Sequence, residues 1–223
     1  MNKITIHTQI ELMEVIQQIG FLPLLDSGIR GYSAEEMADE DCRYVVFPDG
    51  GWDWPLWKWK GPVVTVGNCV YGKFFAGKAG FISREWWRDF YNYRQSTHPR
   101  PEEGSIEEAI LLTLEEHGSM ITRELRAACG FTGPKMRSRF DSYVTRLQMG
   151  CYIVTEDFVY PTDKKKGREY GWGWSLLNTP ESLYGSEACM TDNTPEESYR
   201  RLTEHFRKIL PEATDKQIQK LIG

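Results

Sequence analysis

Three features of this 223-residue chain point to an α+β architecture. Segments with apolar residues at helical spacing recur, several opened by Ser or Thr and closed by Gly. Between them stand short β-branched and aromatic runs joined by glycine-containing turns. In one stretch, residues 105–177, the elements follow the order of a helix-turn-helix with a β-hairpin after it.

Composition sets the outer limits. Hydrophobic residues make up 40% and charged residues 26%, the balance of a globular chain. Eight Trp, eleven Tyr and ten Phe are an excess that either fills a core or builds a recognition surface. No apolar run is long enough to span a membrane, and the N-terminus lacks the apolar core of a signal peptide, so a cytoplasmic protein is expected. The five cysteines contain no C-x-x-C pair, and the four histidines form no ligand pair one helical turn apart. These spacings argue against a disulfide framework and a metal site, and no cofactor motif is present. The net charge of −5 disfavours a protein that coats nucleic acid, yet Gly133–Arg168 carries 8 basic against 4 acidic side chains. A local basic face on an acidic protein is compatible with specific DNA contact.

Residues 1–94 read as a Trp-rich α+β region. Ile4–Ile6 reads as a short strand. Thr8 caps a helix with Leu12, Val15, Ile16 and Ile19 on one face, and Gly20 ends it. Phe21–Leu25 is a short apolar run, and Ser33–Asp41 is acidic and loop-like or one helical turn. Trp52, Trp54, Trp57 and Trp59 follow, with Gly50–Gly51 and Gly61–Pro62 reading as turns around them. Cys69–Phe75 and Ala79–Ser83 flank a hairpin turn. Ser83 then caps a helix through Trp86, Trp87, Phe90 and Tyr91. Two prolines and a glycine in 95–104 mark a linker.

The middle segment, 105–177, is the most legible. Ser105 and Glu108 form a capping box before Ile106, Ile110 and Leu114. Gly118 stops that helix, and Ser119–Ile121 is a brief strand. Thr122 caps a second helix carrying Leu125, Ala128 and Cys129. Pro134 suits the first turn of a third helix, whose inward positions are Met136, Phe140, Tyr143, Val144 and Leu147. Gly150 closes it. Cys151–Tyr160, a basic turn and Tyr170–Leu176 complete a hairpin. This is the order of a winged helix. In the remaining segment, 178–223, amphipathic helices begin at Thr194 and at Thr214 or Asp215, and packing onto the rest of the chain is their expected role.

In a DNA-binding winged helix the third helix enters the major groove and the wing touches phosphate. At about 100° per residue, Ser138, Ser142, Thr145 and Met149 lie on the outward face. Lys135, Arg139 and Arg146 line one edge, and Arg137 and Gln148 the other. Lys135, Ser138, Arg139, Ser142, Thr145 and Arg146 are therefore the candidate DNA-contacting residues of the helix. Lys164, Lys165, Lys166 and Arg168 are those of the wing. The same polar face and charged tip also suit a solvated structural or protein-binding module. The Trp-rich segment has two readings as well: half-buried core rings, which is preferred, or stacking on bases with Lys58 and Lys60 near the backbone. No catalytic constellation is present, since the nucleophile elbow, the zincin helix and the phosphate loop are absent.

Several segments resemble the AlkZ-type winged-helix DNA glycosylases, and more closely the short proteins related to them. They are Gly20-Phe-Leu-Pro-Leu24, Trp57-Lys-Trp-Lys-Gly-Pro62, Cys69-Val-Tyr-Gly-Lys-Phe-Phe75 and Ala79-Gly-Phe-Ile-Ser83. Val144-Thr-Arg-Leu-Gln148, Tyr152-Ile-Val154 and Tyr170-Gly-Trp-Gly173 extend the similarity. The resemblance implies a winged-helix fold and contact with double-stranded DNA. The glycosylases excise alkylated or crosslinked bases with a Gln-x-Gln motif that positions water. Here the one such triplet, Gln217-Ile-Gln219, falls in the last helix, so no catalytic residue carries over. A DNA-contacting, non-enzymatic role is the reading preferred. A protein-interaction module is the alternative, and glycosylase action on alkylated bases is the third.

Overall fold

The computed structural model describes residues 4–48, 52–133, 136–163, 168–169 and 171–223. It is an α+β structure around a largely antiparallel sheet. Extended backbone at Thr8 puts its hydroxyl where the Glu11 N–H donates to it, opening α1 (Gln9–Ile19). Gly20, at φ +78°, ends α1 and turns the chain into β1 (Phe21–Pro23). In place of the expected strand at Ile4–Ile6 there is an isolated bridge from Ile6 to Ala38. The acidic stretch forms one turn of helix, α2 (Ala34–Met37), capped by Ser33. Strands β2 (Val45–Val46) and β3 (Trp52–Asp53) pair with each other.

Gly61–Pro62, expected as a turn, instead lies inside α3 (Pro55–Val66). Pro55 occupies the first turn, where its missing N–H is unneeded. Pro62 removes one backbone bond, and burial of Leu56, Lys60, Gly61, Val63 and Val64 along the helix offsets that loss. β4 (Cys69–Phe75) and β5 (Lys78–Ser83) form the expected hairpin. Its two central residues, Ala76 and Gly77, both have positive φ, the geometry that matches strand twist in a two-residue loop. α4 (Arg84–Thr97) follows Ser83, whose hydroxyl makes no capping bond. The helix includes residues 95–97 of the segment read as a linker, because its buried face continues to Arg94.

In α5 (Ile106–His117) the Ser105 hydroxyl accepts the Glu108 N–H, while the Glu108 carboxylate accepts from Gly104, one residue earlier than a capping box requires. β6 (Met120–Ile121) leads into α6 (Thr122–Ala128). Ile121, not Thr122, is the capping position, since the Thr122 hydroxyl donates to the Ser175 carbonyl. α7 (Arg137–Met149) starts after Pro134, which lies outside the described residues. Then come β7 (Val154–Val159), the short pair β8 (Thr162–Asp163) and β9 (Arg168–Glu169), and β10 (Trp174–Asn178). α8 (Pro180–Tyr184), α9 (Pro195–Ile209) and α10 (Asp215–Ile222) complete the chain, the last two opened by capping boxes at Thr194 and Thr214.

The main sheet has the order β1-β5-β4-β7-β10-β6, with antiparallel pairs throughout. Two hydrophobic clusters flank it. One gathers α1, β1, β4, β5 and α4 with Leu202, Phe206, Ile209, Ile218, Leu221 and Ile222 of the last two helices. The other joins Ile110 and Leu114 of α5, Leu125 of α6, Phe140, Val144 and Leu147 of α7, and Leu177 of β10. Each such side chain contributes about 1.5–3 kcal/mol on burial. β4 and β7 meet between the clusters at Tyr71 and Thr155. A buried carboxylate, Asp89 of α4, anchors α9: it accepts from Asn193, Ser198 and Arg201 at 2.8–2.9 Å. No helix among the described residues is long and apolar enough to cross a membrane.

Candidate nucleic-acid interface

The helical period of α7 sorts its side chains into two faces. Phe140, Val144 and Leu147 are buried, with Met136 and Tyr143 packed against them. On the opposite side, the first half of the helix is open: Arg137, Ser138, Arg139 and Ser142 are exposed. The Ser142 hydroxyl donates to the Ser138 carbonyl at 2.9 Å, and Arg139 Nε donates to the Tyr143 hydroxyl at 3.2 Å. Asp141 stands 3.9 Å from the Arg137 guanidinium.

The second half of that face is covered by the β4–β5 hairpin. Thr145 is half-buried: its hydroxyl donates to the Asp141 carbonyl at 2.7 Å and accepts from Lys73 Nζ at 3.1 Å. Gln148, expected on an edge of the outward face, is buried. Its Oε1 accepts the Lys73 N–H and its Nε2 donates to the Thr155 hydroxyl, both at 3.2 Å, so it ties α7 to β4 and β7. Arg146 is exposed but engaged, donating through Nε at 3.0 Å and through a second nitrogen to Glu107 of α5. Its guanidinium also lies 4.6 Å from the Tyr143 ring centroid. Lys135, Lys164, Lys165 and Lys166 lie outside the described residues. Arg168 is placed by its main chain alone, opposite Asp163 in the β8–β9 pair.

A second feature joins the Trp-rich segment to the hairpin. Trp54 and Trp57 stack at 4.9 Å, and Trp52 stacks on Trp172 at 5.3 Å. Trp172 stands edge-on to both Trp54 and Trp57. The Trp57 indole N–H donates to the Trp172 carbonyl at 3.3 Å. Trp54 donates its own to Glu35, whose carboxyl burial holds above the usual range. Beside these rings is a cavity of about 710 Å³, lined by Trp52, Trp54, Trp57, Phe158, Lys58 and Asp157 among others. Lys58 is paired with Asp53 at 2.5 Å. Lys60 is 1% exposed, with its ammonium between the rings of Trp57 and Phe158. Burial pushes its pKa down to about 7.

Trp52 to Trp59 are visible in the sequence, and their partners are not. Asp157, Phe158 and Trp172 lie about a hundred residues away, and only the pairing of β7 and β10 brings them in. Among the described residues no group of His, Cys, Asp and Glu is placed to hold a metal ion. Gln217 of the Gln-x-Gln triplet is occupied locally, accepting from Thr214 N–H and donating to the Gly28 carbonyl.

No curated protein and no solved structure matches the chain. A family model described as AlkZ related matches residues 6–223, nearly the whole length, and so the chain belongs to the AlkZ-related family.

Proposed function

We propose that this chain contacts double-stranded DNA through a winged helix made of α5, β6, α6, α7, β7 and β10. In this reading α7 is the recognition helix and the β7–β10 hairpin carries the wing. The observation that carries it is the open first half of α7, where Ser138, Arg139 and Ser142 face solvent. Two hydroxyls and a guanidinium suit base edges and phosphates. Lys135 extends that face, and Lys164, Lys165, Lys166 and Arg168 supply phosphate-seeking charge at the wing. Membership of the AlkZ-related family supports a DNA-related role. Thr145 and Arg146, held by Lys73 and Glu107, contribute less than Arg139.

The covering of Gln148 and Thr145 by the β4–β5 hairpin favours a second reading, in which the unit is a scaffold for protein contact. Fluorescence anisotropy with labelled duplex at two salt concentrations separates the two. Salt-dependent binding weakened by Arg139→Ala, and a salt slope reduced by about one in Lys165→Ala, support DNA contact. Equal affinity of wild type and both variants, or no binding at low salt, moves the search to protein partners. An alkylated duplex in the same series tests glycosylase action, through released base. No catalytic residue is assigned to that third reading.

A further inference from the structure

We infer that the Trp52–Trp172 stack and the cavity beside it form a seat for an unpaired nucleobase, so that the chain binds DNA containing unstacked bases in preference to intact duplex. The inference rests on the proposed DNA contact and adds what kind of DNA is held, and by which residues.

Exposure is the first support. Trp52 and Trp172 are 46% and 51% exposed, and Tyr44 beside Trp52 is 49% exposed. Large aromatic rings left open side by side forgo burial and mark an interaction surface. Rigidity is the second. Trp172 is braced edge-on by Trp54 and Trp57, and its carbonyl is held by the Trp57 indole N–H. The seat is therefore formed in advance, and little ordering of these rings opposes binding.

Charge identifies the occupant. Among the described residues the cavity lining carries one cation, Lys58, and one carboxylate, Asp157. Lys58 is in turn neutralised by Asp53. Such a lining, with a carboxylate on its wall, does not attract a phosphate strongly. It suits a flat, neutral ring with its own donors and acceptors: an exocyclic amine donates to Asp157, and a ring carbonyl accepts from Lys58. Stacking on indoles is tolerant of base identity, so weak sequence preference is expected. Trp172 stands two residues before β10, whose partner β7 carries Asp157 and Phe158, so one hairpin supplies both the stacking ring and the polar lining. Free nucleosides share this ring chemistry, and the test distinguishes the two sources.

The experiment measures tryptophan fluorescence and anisotropy with three DNAs: an intact duplex, the same duplex with a short unpaired bubble, and a deoxycytidine oligonucleotide, whose bases carry both an exocyclic amine and a ring carbonyl. A mixture of free nucleosides is the fourth ligand. The bubble and the single strand should bind about tenfold or more tighter than duplex and quench the tryptophan signal. Trp172→Ala should remove that advantage, weakening binding to the bubble and the single strand about tenfold more than binding to duplex, and Trp172→Phe should retain part of it. Equal affinity of wild type for bubble and duplex, with Arg139→Ala still weakening both, overturns the seat but leaves the DNA reading intact. No binding to any DNA overturns both. Quenching by nucleosides without preference among the DNAs assigns the seat to free ligands and overturns the DNA version. Should Trp172→Ala fail to fold, the wild-type comparison of bubble with duplex still decides the matter.

Discussion

The Lys60 ammonium lies 3.1 Å from the centroid of the Trp57 ring. Among the described residues it has no carboxylate partner, and burial lowers its pKa from the usual 10.5 to about 7. The folded protein thus binds fewer protons here than the unfolded chain between those two values, and stability rises with pH across that window. Below about pH 7 both states are protonated, and the folded state carries the full cost of a buried charge. Lys60→Met should therefore stabilise the fold by on the order of 3 kcal/mol at about pH 6, with the gain vanishing near pH 10. Parallel urea titrations of wild type and variant check this; a gain that is the same at both pH values would show that Lys60 is not the titrating group.

Asp89 is the hub between α4 and α9. Asp89→Ala removes the shared acceptor of three donors and leaves the buried Ser198 hydroxyl and the Asn193 amide without it, which should cost about 3–5 kcal/mol. Arg201 is half-exposed and leaves Asp89 two other donors, so Arg201→Ala should cost about 1–2 kcal/mol. Denaturant midpoints of the two variants measure the difference, and similar losses would contradict the hub.

Two glycines with the same backbone sign separate strain from crowding. At Gly20, φ is +78° and an added Cβ would lie 2.6 Å from Trp86 Cδ1. At Gly28, φ is +81° with nothing within 4 Å. Gly28→Ala should cost about 1 kcal/mol through backbone strain alone, and Gly20→Ala at least about 2 kcal/mol more. Thermal melts rank the pair, and Gly20→Ala should also shift the tryptophan emission, because the added Cβ displaces Trp86, whose ring packs at a tilt against His205 with centroids 4.1 Å apart.

Gln148 and Arg139 share a helix but not a role. Gln148→Leu leaves the part-buried Lys73 N–H without its acceptor and should destabilise by about 1–3 kcal/mol. Arg139→Ala, on the open face, should change stability by less than about 0.5 kcal/mol while weakening DNA binding. If Arg139→Ala unfolds the protein as readily as Gln148→Leu, its effect on binding says nothing about contact.

Local chemistry was readable from the residues. Thr8, Ser105, Thr194 and Thr214 all accept an amide at a helix start, because a cap is decided within four residues. The β4–β5 hairpin was readable for the same reason. α3 was not, because Gly61 and Pro62 carry local signals against a helix and distant packing overrides them. Period alone points Gln148 outward, since helical spacing cannot report that β4 lies across the face. The aromatic cavity was half legible: four tryptophans were visible in 52–59, while Trp172 and Phe158 arrive through strand pairing.

The meeting of β4 with β7 at Tyr71 and Thr155 makes the sheet common property of both hydrophobic clusters. Cutting the chain near residue 104 would therefore bare one strand margin on each fragment, with unpaired amides and carbonyls ready to recruit another molecule. Expressed separately, the two pieces should self-associate, and mixed together they should recombine along that shared border.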